Sequence, residues 1–302
     1  MTITEEQVRQ SHRTAFQRFV TDPSVALVAV SFWSIFRLLP VRWASAVGGA
    51  VGYVAGLVMR KRNHIALVNL KIAFPQKTDA ERRSILRRSW CHWGRFYAEM
   101  PHASQLFYSA EIVGMEHLKK IAKAGRGGLV CSAHLGNWEL AVSQPLFDSV
   151  YLNPVYRRAN NPWLDKLMFQ RRTGTLIPKG TAGARQLVSV LRNGGLVVML
   201  CDQKLREGID VPFLGKTAKT APAIATMALK FNTPIVMARS IRKPNGQFYV
   251  EVSKPLTLPH TGDINADIES IMIDINRIME EWIRETPEQW LWMHRRFDKS
   301  EY

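Results

Sequence analysis

Two apolar runs, Ser24–Phe36 and Ser45–Met59, stand near the start of the chain, separated by a stretch carrying Arg37, Pro40 and Arg42. Each reads as a helix, and each falls short of the ~20 consecutive apolar residues that a bilayer span requires. Trp33, Trp43 and Tyr53, with Arg37, Arg42, Arg60, Lys61 and Arg62 at the borders, are residue types that settle at a lipid–water interface. The pattern predicts a membrane-associating helical segment within residues 1–62. The polar residues that precede it lack the basic, apolar and cleavage-site order of a signal peptide.

A capping box, Thr78 with Glu81, opens the next helix. Ile85, Leu86, Trp90, Trp93, Phe96, Tyr97 and Met100 form its apolar side, and Arg82, Arg83, Arg87 and Arg88 give it a basic one. From Gly127 onward the rhythm changes to β-α alternation. Gly127–Ala133, Leu196–Cys201, Pro234–Ile241 and Gln247–Leu256 are short, apolar and rich in branched or aromatic residues, which predicts strands. A helix ending before Gly194 and Gly195 precedes the second of them, and Asp263–Glu285 carries Ile268, Ile271, Ile275, Met279 and Trp282 at helical spacing. The alternation predicts an α/β fold, with residues 63–302 as one domain and no internal repeat.

Charge changes the picture. The 302 residues include 41 Lys plus Arg against 25 Asp plus Glu, a formal net charge of +16, so the surface suits an anionic partner: a phospholipid surface, an acidic protein or nucleic acid. The three cysteines, Cys91, Cys131 and Cys201, offer neither a disulfide framework nor zinc-ligand spacing. Strand alternation makes Cys131 a packed core thiol.

The candidate chemistry lies at strand ends. His134 follows the strand Gly127–Ala133, and the C-terminal ends of strands are where open α/β sheets hold ligands. Glu139, five residues on, could fold back to accept the imidazole N–H, with Gly136 permitting the turn. A histidine so oriented is a general base near neutral pH. Arg157 and Arg158 stand in a turn-rich stretch, and Asp202 with Gln203 follows a second apolar strand. After these comes a loop closed by Pro212, Phe213 and Gly215.

The blocks "NLKIAFP" (Asn69–Pro75), "HLGNWE" (His134–Glu139), "YRRANNP" (Tyr156–Pro162), "RRTGTLIPK" (Arg171–Lys179), "DQKLREGIDVPFLG" (Asp202–Gly215) and "PEQWLWMHRRF" (Pro287–Phe297) occur in order along nearly the whole chain. In them the sequence resembles the bacterial lipid A late acyltransferases, within the lysophospholipid acyltransferase superfamily. The resemblance implies a mixed central sheet flanked by helices, of the glycerolipid acyltransferase type. It also implies transfer of an acyl chain from acyl carrier protein to a hydroxyl of a lipid A precursor at the cytoplasmic face of the inner membrane, with no metal or other cofactor. On that reading His134 is the base, Glu139 its partner, Arg157 a ligand for an oxyanion or phosphate, and Asp202 an ordering group. Asn137, Arg158, Asn161, Arg172 and Gln203 are the substrate-binding candidates. "LGNW" between base and acid is closer to phospholipid-type acyltransferases, which leaves another lipid acceptor as an alternative.

The residues agree with that expectation on physical grounds. A thioester is already activated, so transfer to an alcohol needs a base and positive charge for the oxyanion. Hydrolysis of a thioester or lipid ester by the same dyad is the second reading. A non-catalytic nucleic-acid module finds no recognised signature in the chain, and Gly125–Gly128 precedes its strand where a dinucleotide fingerprint would follow one.

Overall fold

The computed structural model describes residues 21–142, 151–157, 159, 161–169 and 175–302. The polar stretch before the first apolar run therefore lies outside the described residues. The two runs form α1 (Asp22–Leu38) and α2 (Val41–Val58), broken at Pro40, whose missing N–H suits a helix start. By length and composition alone, α2 is long and apolar enough to cross a membrane. Much of the apolar surface of this pair is uncovered, including Leu27, Val28, Ile35 and Leu38 on α1 and Val51, Val54, Leu57 and Val58 on α2.

The chain continues through α3 (Arg60–Ala73) into α4 (Asp79–Glu99). The capping box forms as expected: Thr78 Oγ1 accepts from the Glu81 N–H, and Glu81 Oε2 accepts from the Thr78 N–H at 2.7 Å. Helix α2 lies almost in backbone contact with α4. A Cβ on Gly52 would stand 2.2 Å from the Trp90 carbonyl oxygen, and one on Gly94 would stand 2.0 Å from that of Gly48. The second helix of the apolar N-terminal pair is thus packed directly on α4. One expectation fails on α4. Arg82 is buried and donates to the Phe74 and Pro75 carbonyls and to Asp79, so it fastens the loop before the helix. The exposed basic face is that of Arg83, Arg87 and Arg88.

The remaining elements are α5 (Ala103–Tyr108), β1 (Glu111–Val113), α6 (Met115–Ala124), β2 (Gly128–Ser132), α7 (Trp138–Val142), β3 (Leu152–Tyr156), α8 (Pro162–Phe169), β4 (Ile177–Pro178), α9 (Thr181–Arg192), β5 (Leu196–Leu200), β6 (Lys204–Phe213), β7 (Lys216–Thr220), α10 (Ala223–Phe231), β8 (Ile235–Arg242), β9 (Phe248–Val252) and α11 (Ile264–Glu285). Seven strands form one mixed sheet in the order β1-β9-β8-β2-β5-β3-β4, with β8 and β9 antiparallel and the other pairs parallel. The fold is therefore α/β with helices flanking a mixed sheet. Both faces of the sheet are covered. Leu129, Cys131, Val197 and Met237 point into one core with α4 and α11, while Val130, Val198, Val236 and Val250 point into the other with α6 and α7. Strands β3, β4 and β1 carried no clear alternation in the sequence.

The segment after Asp202 is not the expected loop. It is a separate antiparallel hairpin, β6–β7, whose Phe213↔Lys216 pair is joined by Leu214 and Gly215 at φ 53° and 84°. Positive φ at both positions is the primed turn that matches the twist of a hairpin. Asn276 of α11 donates to the Pro212 carbonyl at 2.8 Å and holds the hairpin on the core.

Candidate active site

The parallel register Cys131↔Met199 and Ser132↔Leu200 between β2 and β5, carried two residues further, sets His134 beside Asp202 at the C-terminal ends of the two strands. The side chains meet there. Asp202 Oδ1 lies 2.8 Å from His134 Nδ1, and Oδ2 accepts the His134 main-chain N–H at 3.0 Å. The Trp290 indole N–H donates to the same Oδ2 at 2.9 Å.

Asp202 is almost wholly buried, at 1% exposure. Burial by itself would raise its carboxyl, but the His134 charge and the N–H donors of His134 and Trp290 outweigh it and hold the group down to about 2. An ionised carboxylate only accepts, so His134 Nδ1 carries a proton, and in the neutral ring Nε2 presents its lone pair. Gln203 Nε2 stands 3.3 Å from that lone pair and donates to it. The imidazole side chain is 19% exposed and packs against Trp138 with ring centroids 5.1 Å apart. Behind Trp138 stand Phe96, stacked at 4.1 Å, and Trp93 at 5.3 Å. The imidazole is therefore set in an aromatic wall with its Nε2 edge turned toward Gln203.

The turn that carries His134 is fixed from both sides. Gly136 donates its N–H to the Gln289 carbonyl at 3.0 Å and accepts from His92 Nε2 at 3.1 Å. Its φ is 57°, and a Cβ there would stand 1.8 Å from the Ser240 carbonyl oxygen, so this position requires glycine. His92 is buried. Burial, with Arg242 and Arg95 nearby, lowers it to about 3, so it is a neutral donor.

The sequence expectations meet the structure unevenly. His134, Asp202 and Gln203 come together. Glu139 lies in the first turn of α7, and the place on Nδ1 expected for it belongs to Asp202. The reason is topological: β5 lies directly beside β2, whereas Glu139 starts a helix that leads away from the strand end. Asn137 is fully buried, and among the described residues neither amide atom has a hydrogen-bond partner. Asn161 caps α8 by accepting from Trp163 and Leu164, and its amide donates to the Asp22 carbonyl at 2.8 Å. Arg157 is exposed immediately after β3, two strands from β2 and so roughly 10 Å across the sheet. Arg158 and Arg172 lie outside the described residues. Cys131 is buried, and hydrogen bonding with Cys201 together with burial pushes its thiol well up, which makes it a core group and not a nucleophile.

A sequence profile described as bacterial lipid A biosynthesis acyltransferase matches residues 13–299. The chain belongs to that family. It is 26% identical over 295 residues to the lipid A biosynthesis lauroyltransferase of Escherichia coli (strain K12), covering 91% of this chain and 94% of that protein. It is 25% identical to the palmitoleoyltransferase of the same organism, covering 86% of each. A lipid A biosynthesis acyltransferase of Haemophilus influenzae is similar at 25% identity over 89% of each chain. Within this lipid A acyltransferase, sequence reasoning missed Trp290 and His92 as parts of the site. Trp290 was visible only inside the closing block Pro287–Phe297, and a lone histidine on a helix gives no signal in one sequence.

Proposed function

We propose that this chain transfers a fatty acyl group from an acyl carrier protein thioester to a hydroxyl of a lipid A precursor, with His134 as general base. The observation that carries the reading is the Asp202–His134 pair, which in the neutral ring leaves the Nε2 lone pair on the edge where Gln203 stands. The acceptor hydroxyl displaces Gln203 and gives its proton to Nε2 as its oxygen attacks the thioester carbonyl. The tetrahedral oxyanion then collapses, the C–S bond breaks, and the carrier thiolate leaves with the proton held on the imidazole. Arg157 supplies positive charge for the oxyanion or an acceptor phosphate. Asp202 orients the ring. Incubating the purified chain with acyl carrier thioester and a lipid A precursor should give product heavier by one acyl group. Acid released at the same rate with and without acceptor would make it a hydrolase instead.

The acceptor is a lipid, and the uncovered apolar side of α1 and α2 is the face we assign to the cytoplasmic leaflet of the inner membrane. Leu27 and Val51 are 68% and 51% exposed, so charging them should spare the fold. Burying each side chain is worth about 1.5–3 kcal/mol. Leu27→Glu with Val51→Glu should therefore lower the vesicle-bound fraction at least tenfold in a sedimentation assay. Unchanged binding in high salt would place the membrane contact elsewhere.

For the acidic carrier we propose the face of Arg83, Arg87 and Arg88. Arg83→Glu with Arg87→Glu should raise KM for the carrier-bound donor several-fold and flatten its salt dependence, with kcat little changed. Unaltered KM and salt dependence would move the docking site to another basic patch.

A further inference from the structure

Behind the His134–Asp202 pair the C-terminal segment brings a second layer of charge. Trp290 donates to Asp202, and its ring packs on Phe213 with centroids 5.8 Å apart. Beyond Phe213 lies Arg296, with its guanidinium carbon 4.5 Å from that ring's centroid. Arg296 is fully buried. It donates to the Lys219 carbonyl at 2.9 Å and to Thr220 Oγ1 at 2.6 Å, and among the described residues its Nε has no partner. Among the described residues no carboxylate forms an ion pair with it. A buried cation without a paired anion costs several kcal/mol, and pinning the β6–β7 hairpin needs only neutral donors. The buried anion across the Phe213–Trp290 layer is Asp202.

We propose that Trp290 and Arg296 are positioning residues that act through Asp202, together weakening the hold of its carboxylate on the protonated His134 ring. The inference rests on His134 being the base. An N–H donor disperses the charge on Oδ2, and a cation across a dry aromatic layer opposes a positive imidazole while favouring the carboxylate. Both effects favour the neutral, proton-accepting ring over the imidazolium. The other groups around Asp202 do not supply this. The Cys131 thiol is held protonated, and burial first, then His134, Arg296 and Arg62, lowers His294 to about 4, so it is uncharged near neutrality. Tyr302 faces Arg296 from the chain end, and its hydroxyl titrates too high to matter.

The test is the pH response of His134 in the full chain, followed by NMR of its ring and by the acidic limb of the kcat profile. Arg296→Met should move both to higher pH by about half a unit to one unit. Trp290→Phe should shift them the same way and lower kcat about three- to tenfold. Arg296→Lys keeps the charge and should leave the limb in place, which separates charge from packing if the methionine variant is unstable. Folded Arg296→Met and Trp290→Phe proteins with wild-type ring titration would overturn the proposal and leave both residues as packing groups. Because the ring titration needs no acyl transfer, it distinguishes that failure from an error in the assigned reaction.

Discussion

His134→Ala should abolish acyl transfer, Asp202→Asn should cost nearly as much, and the double variant should be little worse than His134→Ala alone. A positioned general base contributes about 10²- to 10⁴-fold to rate. Asp202 acts only through the ring it orients, so once the ring is gone its own loss removes nothing more. The asparagine also faces a shortage of acceptors. Asp202 takes three N–H groups, from His134 Nδ1, the His134 main chain and Trp290, on two oxygens. A carboxamide has one oxygen and turns an N–H₂ toward one of those donors, leaving a buried group unsatisfied at about 1–3 kcal/mol. Asp202→Asn should therefore unfold at lower temperature as well as turn over slowly, whereas His134→Ala should lose turnover with a smaller change in stability. Glu139→Gln, which leaves the His134–Asp202 pair intact, should be milder than Asp202→Asn. Product mass spectrometry beside thermal unfolding of the four variants checks the set. Near-normal transfer by a folded His134→Ala protein would end the mechanism, and near-normal transfer by Asp202→Asn with a dead Glu139→Gln would return the orienting role to Glu139.

The difference between those two carboxylates shows what one sequence can and cannot carry. Hydrophobic run length placed β2 and β5, and the rule that ligands gather at strand ends picked out His134 and Asp202 separately. Joining them required knowing that β5 inserts beside β2, and strand order is not written in any local pattern, because nearly continuous apolar strands pair equally well with several neighbours. Reasoning along the chain chose the acid five residues away over the one 68 residues away. Arg82 was misread for a related reason. Helical periodicity gives the direction of a side chain but not what the preceding loop does, and here that loop folds over the arginine and offers it two carbonyls. The capping box, the core position of Cys131 and the glycine at the His134 turn depend on neighbours within a few residues, and these were legible. The Phe213–Trp290–Arg296 layer depends on a hairpin meeting the chain end, and it was not.

Buried His92 and half-buried His294 should make the fold acid-sensitive well above the range where carboxylates titrate. His92 falls from its ordinary 6.5 to about 3, through burial first and then the Arg242 and Arg95 charges. His294 falls from 6.5 to about 4, again chiefly through burial. A histidine depressed in the folded state is neutral there and charged when the chain unfolds in acid. Its contribution is fully present above 6.5 and is lost as pH falls toward the folded value. Each should remove about 1.4 kcal/mol per pH unit below 6.5, so between pH 7.5 and 5 the pair should cost about 4 kcal/mol. Asp202 adds to the loss only lower, between its ordinary 3.8 and its folded value of about 2. Equilibrium urea unfolding at a series of pH values should show the midpoint dropping steeply below 6.5. His92→Gln, which can still donate an amide N–H toward the Gly136 carbonyl, should remove about half of that slope. A midpoint flat from pH 7.5 to 5 would mean that these rings accept protons in the folded protein, and that the turn carrying His134 is looser than its hydrogen bonds make it.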